Sequence, residues 1–134
     1  MLFRSPLFRR QAHGHIFIVS SIVGRRGIPF MGAYAASKSA QVGLGESLRA
    51  ELRRTDIHVS MVYPISTATE FFGVMTKESG FPTRAQGPRQ SAESVADAVV
   101  RAFGRPVAEI YPYRWSKGLT IINAIAPEIG RAHV

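Results

Sequence analysis

Apolar and polar positions change period several times along the chain, and each change marks an element. The run Ile16-Phe17-Ile18-Val19 is apolar without interruption, the pattern of a strand buried on both faces in a parallel sheet. A loop punctuated by Gly24, Gly27, Pro29 and Gly32 follows, and then a helical period over 34–54. Within it Ala40, Leu44, Leu48 and Leu52 recur at i, i+4 and form a stripe expected to pack on the sheet. Small residues at Ala36, Ser39, Gly43, Gly45 and Ser47 leave room for close approach on its other faces. Thr55-Asp56 turns the chain into a second apolar strand, 57–63. Over 71–90 the period is lost and Gly80, Pro82, Gly87 and Pro88 mark a long loop. Ser91 is a good N-cap for a helix over 92–103, whose Val95, Val99, Ala102 and Phe103 share an apolar face and whose end is signalled by Gly104 and Pro106. A short strand at 107–111 and a short apolar helix at 119–126 complete the pattern. Upstream, 6–11 reads as the tail of a helix and His13-Gly14-His15 as the turn into the first strand. Two alternating histidines without a third ligand are loop residues rather than a metal site.

Length and composition suit one globular domain: 134 residues, 46% of them hydrophobic. The absence of cysteine excludes disulfides, iron–sulfur clusters and cysteine nucleophiles, and suits a reducing compartment. No apolar run approaches the ~18 residues of a spanning helix. Arg4, Arg9 and Arg10 are not followed by the apolar segment and cleavage site of a signal peptide, so a cytoplasmic protein is expected. The formal charge of +8 raises the question of nucleic acid. The arginines are scattered, in pairs such as Arg9-Arg10, Arg25-Arg26 and Arg53-Arg54, with no aromatic-interleaved basic stripe. A solvated basic surface is the simpler reading; a milder functional one is that some arginines answer an anionic cofactor or an acidic membrane surface.

Both ends carry an anomaly. Residues 1–5, MLFRS, can be encoded by GTG CTC TTC CGA TCT with GTG as start codon, and residues 129–134, IGRAHV, by ATC GGA AGA GCA CAC GTC. The two strings are reverse complements over their shared length and look like a short-read sequencing adapter. Residues 1–5 and 129–134 are therefore expected to be library artefacts, with 6–128 the authentic segment.

Candidate chemistry sits between Ser21 and Lys38. Tyr34 and Lys38 are four residues apart and share one face of the helix. A tyrosine hydroxyl is ordinarily a poor proton exchanger at neutral pH, with a pKa near ~10. An adjacent ammonium favours the phenolate, so the pair can act as a general acid and base. Ser21, thirteen residues before Tyr34 at the carboxyl end of the first strand, could hold a substrate oxygen in line with it; ligands of α/β sheets bind at these strand ends. Taken singly, each residue is as well explained by structure alone.

Taken together, Ser21, Tyr34-Ala35-Ala36-Ser37-Lys38 and Ser47-Leu48-Arg49-Ala50-Glu51-Leu52 resemble the catalytic half of the short-chain dehydrogenase/reductase family. The strand Val59-Ser60-Met61-Val62-Tyr63-Pro64 and the loop from Pro64 to Thr69 continue the likeness; the latter is similar to the family's Pro-Gly-x-x-x-Thr segment beside the nicotinamide. Ile65 stands where the family usually has glycine, and a β-branched residue resists positive φ. The resemblance implies a partial doubly wound, Rossmann-like α/β fold, the C-terminal half of such a domain. It implies an enzyme that moves a hydride between NAD or NADP and a carbonyl or alcohol carbon. Catalysis would fall to Ser21, Tyr34 and Lys38, and contact with the cofactor to Tyr34, Lys38, Pro64, Ile65 and Thr69. Lys38 would favour the tyrosinate and hold the nicotinamide ribose; Thr69 would meet the carboxamide.

The family's glycine-rich phosphate loop and its Asn-Ala-Gly segment have no counterpart here; Gly24-x-x-Gly27 lacks the spacing and reads as a turn. The isolated fragment is therefore expected to be inactive, and the choice between NAD and NADP is not legible. Loop 71–90 reads as a surface loop or a lid, and Phe71, Phe72 and Phe81 favour a lid over an apolar substrate. The 119–126 helix would line the substrate end or cover the sheet edge. The 34–54 helix is either a homo-oligomer interface, as in the proteins it resembles, or tightly packed within the chain. Two other classes compete: a non-catalytic Rossmann-like binding or regulatory domain, and a basic nucleic-acid or membrane adaptor.

Overall fold

A computed structural model describes residues 6–68, 73–74 and 87–126. Three parallel strands, β1 (His13–Val19), β2 (Asp56–Val62) and β5 (Glu109–Ile110), form a sheet in the order β1-β2-β5. β1 and β2 pair along their whole length, from His13 opposite Asp56 to Val19 opposite Val62. A helix α1 (Pro6–Gln11) leads into β1, α2 (Gly32–Glu51) joins β1 to β2, α3 (Ala92–Gly104) precedes β5, and α4 (Trp115–Ile125) follows it. Two dipeptide strands, β3 (Ser66–Thr67) and β4 (Arg89–Gln90), pair in parallel as a separate ribbon.

The side-chain alternation of β2 decides the layering. Met61 and Tyr63 pack with Val42 of α2, with Ile18 and Tyr111 against them. Val62, between them in sequence, packs with Ala98 and Ala102 of α3 and with Ile110, and Phe17, Val95 and Val99 close that cluster. Neighbouring residues of a strand point to opposite faces, so α2 and α3 cover opposite faces of the sheet. The chain is thus the expected partial doubly wound α/β unit. β2 is its central strand, with Ser60, Met61, Val62 and Tyr63 fully buried. β1 is the sheet edge among the described residues and is half-buried, Val19 being 50% exposed.

Four expectations are corrected. β1 begins at His13, so His13-Gly14-His15 is strand and not a turn. Its polar residue is satisfied across the sheet: His15 Nε2 lies 2.7 Å from Ser60 Oγ, and the His15 ring stacks on Phe17 at 3.9 Å between centroids. In α2 the residues against the sheet are Ala35, Val42, Gly45 and Leu48, whereas Ala40 and Leu44 are exposed. A strict i, i+4 series drifts about 40° per step round the helix, and over four members it leaves the buried face. Gly45 also belongs to that face rather than to another; a Cβ there would lie 2.1 Å from Met61 Sδ. Finally, the last helix begins at Trp115 and turns its polar side inward: Ser116 is buried while Trp115, Leu119, Ile121, Ile122 and Ile125 are exposed.

Local signals elsewhere act as read. Ser91 Oγ caps α3, accepting from the Ser94 amide at 3.2 Å. Thr55 closes the α2–β2 turn, donating to Leu52 O at 2.7 Å and accepting from the Ile57 amide at 3.3 Å. Phe71, Phe72, Phe81 and the expected lid lie outside the described residues, as do the two anomalous ends. Among the described residues no helix is long and apolar enough to cross a membrane.

Candidate active site

The parallel ladder continues past the end of β1. The Ser20 amide donates to Val62 O and the Ile22 amide to Pro64 O, each at 3.0 Å. The segment after β1 therefore runs beside the segment after β2, and Ser21 is brought alongside Tyr63-Pro64. Ser21 is buried and starts a 3-10 turn over Ile22–Gly24, its Oγ accepting the Val23 amide at 3.2 Å. A serine hydroxyl has one proton to give, and this cap does not use it.

Hydrogen bonds draw α2 onto that turn. Ser20 Oγ donates to Lys38 O and Ser39 Oγ to Gly24 O, both at 2.9 Å. Gly24 allows the approach: a Cβ there would stand 2.9 Å from Lys38 O and 2.8 Å from Ser20 Oγ. From the same turn of helix, Lys38 Nζ reaches back to the strand end, donating to Val19 O at 3.2 Å and to Gln41 Oε1 at 3.3 Å. It lies 5.7 Å from the centroid of the half-buried Tyr34 ring. Lys38 is thereby held at the carboxyl end of β1, beside the turn that Ser21 opens, with Tyr34 one helical turn before it; α/β sheets take their ligands at this end.

Pro64 and Ile65, both half-buried, border the same end. Positive φ among described residues other than glycine is confined to Ala12 (59°) and Phe30 (63°). Ile65 therefore sits in ordinary backbone, and the loss of the family's glycine is accommodated without left-handed strain. Thr67 Oγ1 donates to Ile65 O at 3.0 Å, and the Ala68 amide to Gln90 O at 2.9 Å, which ties the loop to β4. Thr69 lies outside the described residues. Phe30 combines its unfavourable φ with 95% exposure four residues before Tyr34.

Arg25, read from the sequence as solvated surface or as one of the arginines that answer an anionic partner, braces the site instead. Its guanidinium is paired with Glu109 of β5 and lies 3.6 Å from Glu46 of α2, and it stands over the Tyr63 ring at 4.9 Å. Tyr63 stacks on Tyr111 at 5.0 Å, and Tyr111 Oη donates to Glu109 Oε2 at 3.3 Å. Burial works against the Arg25 charge, but Tyr63, Glu109, Tyr111 and Glu46 outweigh it and its pKa is raised. Burial is also the main reason the Tyr63 hydroxyl is pushed up to about 12. Arg25 thus clasps the Ser21 turn to α2 and β5 and lies over the residue preceding Pro64. The 84 residues separating it from Glu109 gave no spacing by which to find the pair.

The other end of the sheet holds a concavity of about 490 Å³ lined by Phe8, Gln11, His13, His15, Asp56 and Phe103 among others. It lies at the amino-terminal end of β1 and β2, away from Ser21 and Tyr34. No group of three or more His, Asp or Glu among the described residues could hold a metal ion.

Known proteins resemble this chain in sequence and in fold. The family model for short chain dehydrogenase matches residues 3–80, more than half of the chain; the chain belongs to that family. It is 41% identical over 73 residues to retinol dehydrogenase 8 of Bos taurus, covering 54% of this chain and 23% of the relative. It is 35% identical over 131 residues to dehydrogenase/reductase SDR family member 7B of Rattus norvegicus, covering 92% and 40%. Among solved structures, a short chain dehydrogenase from Burkholderia cenocepacia in complex with NADP superposes with a TM-score of 0.73 at 26% identity, over 92% of this chain and 48% of that one. Another from Burkholderia phymatum, in complex with NAD, gives 0.74 at 22% identity and attests the fold. The chain spans less than half the length of these curated relatives and about half that of the solved structures.

Proposed function

We propose that the complete protein carrying this sequence is an NAD(P)-dependent oxidoreductase acting on a carbonyl or alcohol carbon. The observation that supports this reading is that the turn opened by Ser21 is bonded to α2 at Lys38 and Ser39, while Lys38, one helical turn after Tyr34, reaches the end of β1 at Val19. A bound nicotinamide supplies or accepts the hydride. Ser21 donates a hydrogen bond to the substrate oxygen, keeping its own proton, and so orients it. Tyr34 gives a proton to that oxygen in reduction and takes one in oxidation. Lys38 favours the tyrosinate as that proton leaves and holds the ribose hydroxyls with its remaining hydrogen-bonding capacity. These residue types suit the nicotinamide end of a dinucleotide: the Lys38 ammonium, the Tyr34 hydroxyl and the backbone at Ile65, with Pro64 before it and Thr69 four residues after it in sequence.

Structures similar to this chain are complexes with NADP, NADPH or NAD, which supports either form of the cofactor. An apolar substrate is supported by the exposed Phe30, four residues before Tyr34, and by the retinol dehydrogenase named among its relatives. Ala36, Ala40, Gly43 and Ser47 form an exposed, small-residue outer face of α2, which supports a homo-oligomer through that helix. The test is NAD(P)H-dependent reduction of a panel of aldehydes and ketones by the complete protein and its Tyr34→Phe variant. Turnover should fall by ~100-fold or more, the usual effect of losing a general acid. A Phe variant with wild-type turnover would remove Tyr34 from the mechanism.

A further inference from the structure

Helix α4 is amphipathic in the wrong sense for a helix that packs on its own domain. Ser116 is buried at 1% exposure, and Thr120 and Asn123, which follow it at i+4 and i+7, are half-buried. Trp115, Leu119, Ile121, Ile122 and Ile125 are 78%, 60%, 50%, 47% and 80% exposed. On an ideal helix these three polar residues define one face, Trp115, Ile121, Ile122 and Ile125 spread over the other side, and Leu119 lies at the margin between them. The polar face is anchored locally: Ser116 Oγ donates to Tyr113 O at 2.6 Å and Thr120 Oγ1 to Lys117 O at 2.7 Å. An exposed apolar stripe of this size marks a surface that something covers.

Charge says what covers it. Arg114 and Lys117 stand at the start of the helix, where the positive end of the helix dipole adds to them. From Ile110 to Ala126 the segment contains no acidic residue, and the chain as a whole carries +8. A second copy packed in parallel on the same face would bring those cations against one another. An apolar stripe with tryptophan at its margin and basic side chains long enough to extend to a headgroup layer is the pattern of a helix lying in a membrane interface.

We infer that α4 docks the protein on an anionic lipid surface, with Trp115, Leu119, Ile122 and Ile125 in the acyl boundary and Arg114 and Lys117 among the headgroups. The helix starts five residues beyond the carboxyl end of β5, so docking holds the end of the sheet that carries Ser21 and Tyr34 towards the bilayer. The inference does not depend on the catalytic reading, because its readout is binding.

The experiment is flotation of the complete protein with phosphatidylcholine vesicles and with vesicles containing phosphatidylserine, for wild type, the combined variant Trp115→Ser/Ile122→Ser/Ile125→Ser, and Arg114→Glu/Lys117→Glu. Wild type should float with the anionic vesicles and be released by salt. The apolar variant should lose at least ~tenfold in partitioning, and the charge variant should lose as much on anionic vesicles only. Thermal melts show whether the variants are folded. If either is not, quenching of Trp115 by brominated lipid, read as the difference between wild type and Trp115→Phe, replaces it, and quenching is expected. Wild type that stays unbound, variants that float like wild type, absent quenching, or a wild-type dimer that the apolar variant dissociates would each overturn the inference; the last would assign the face to a second copy.

Discussion

Replacing Gly24 with alanine tests the contact on which the geometry of the candidate site rests. The added methyl would stand 2.9 Å from Lys38 O, 3.0 Å from Lys38 C and 2.8 Å from Ser20 Oγ. Two of these atoms are helix backbone and cannot step aside as a side-chain tip can. Ordinary contact begins near 3.4 Å, so the turn and α2 must part by about half an ångström. The Ser20–Lys38 and Ser39–Gly24 hydrogen bonds, both 2.9 Å, then stretch to the limit of useful geometry. Overpacking costs ~1–3 kcal/mol and each weakened hydrogen bond up to ~1 kcal/mol. The stiffer unfolded chain returns only ~0.4–1 kcal/mol. A net loss of about 2 kcal/mol should lower the urea midpoint by roughly 1 M at constant slope. Because Ser21 lies on the displaced turn, kcat should fall about 10- to 100-fold. Gly27→Ala is the control: nothing lies within 4 Å of its Cβ position, so it should leave kcat unchanged and raise the midpoint slightly through the unfolded chain alone. If Gly24→Ala matches Gly27→Ala in both midpoint and kcat, the packing of the turn on α2 is wrong.

Other perturbations probe separate parts of the account. Lys38→Met should weaken cofactor binding and lower kcat together, since one ammonium serves both, and Lys38→Arg should not restore them because a planar fork cannot replace a compact ammonium; loss of only one property would dismiss the shared role. Ser60 is fully buried and donates to Val107 O, so it must accept from His15 Nε2, which fixes the imidazole tautomer. Ser60→Ala should cost ~1–3 kcal/mol, read by urea unfolding, and no loss would refute the network. Burial, and then the neighbouring His58, lower the His15 pKa from 6.5. Between that value and the lowered native one the unfolded chain binds more protons, so stability should fall as pH falls through this window. Comparing urea midpoints at about pH 7.5 and about pH 5.5, His15→Gln should flatten the dependence relative to wild type, and an unchanged slope would rule out His15 as its source.

Much of this fold was legible because local and long-range signals agree. The apolar run from Ile16 to Val19, the alternation that puts Met61 and Val62 on opposite faces, and the Ser91 cap each determine an element from neighbouring residues. The positions of Ser21, Tyr34 and Lys38 could be read because helix spacing and the strand end fix them locally. What could not be read depends on partners far away in sequence. His13 and His15 look like turn residues until Ser60 on the next strand answers one of them. Arg25 looks solvent-exposed until Glu46 and Glu109 are folded against it. The i, i+4 leucines of α2 mark a helix but not its buried face, which Gly45 sets by letting Met61 approach. The orientation of α4 runs opposite to its hydrophobic pattern, and no rule of burial within one chain foresees that.

The central claim is that Tyr34, set beside Ser21 and Lys38, moves the proton that accompanies hydride transfer. The most direct measurement is a single turnover of the complete protein preloaded with NAD(P)H and mixed rapidly with a carbonyl substrate, which separates binding from chemistry. Tyr34→Phe, saturated with cofactor, should transfer hydride at least ~100-fold more slowly than wild type. Hydride transfer at the wild-type rate in the Phe variant would contradict the account.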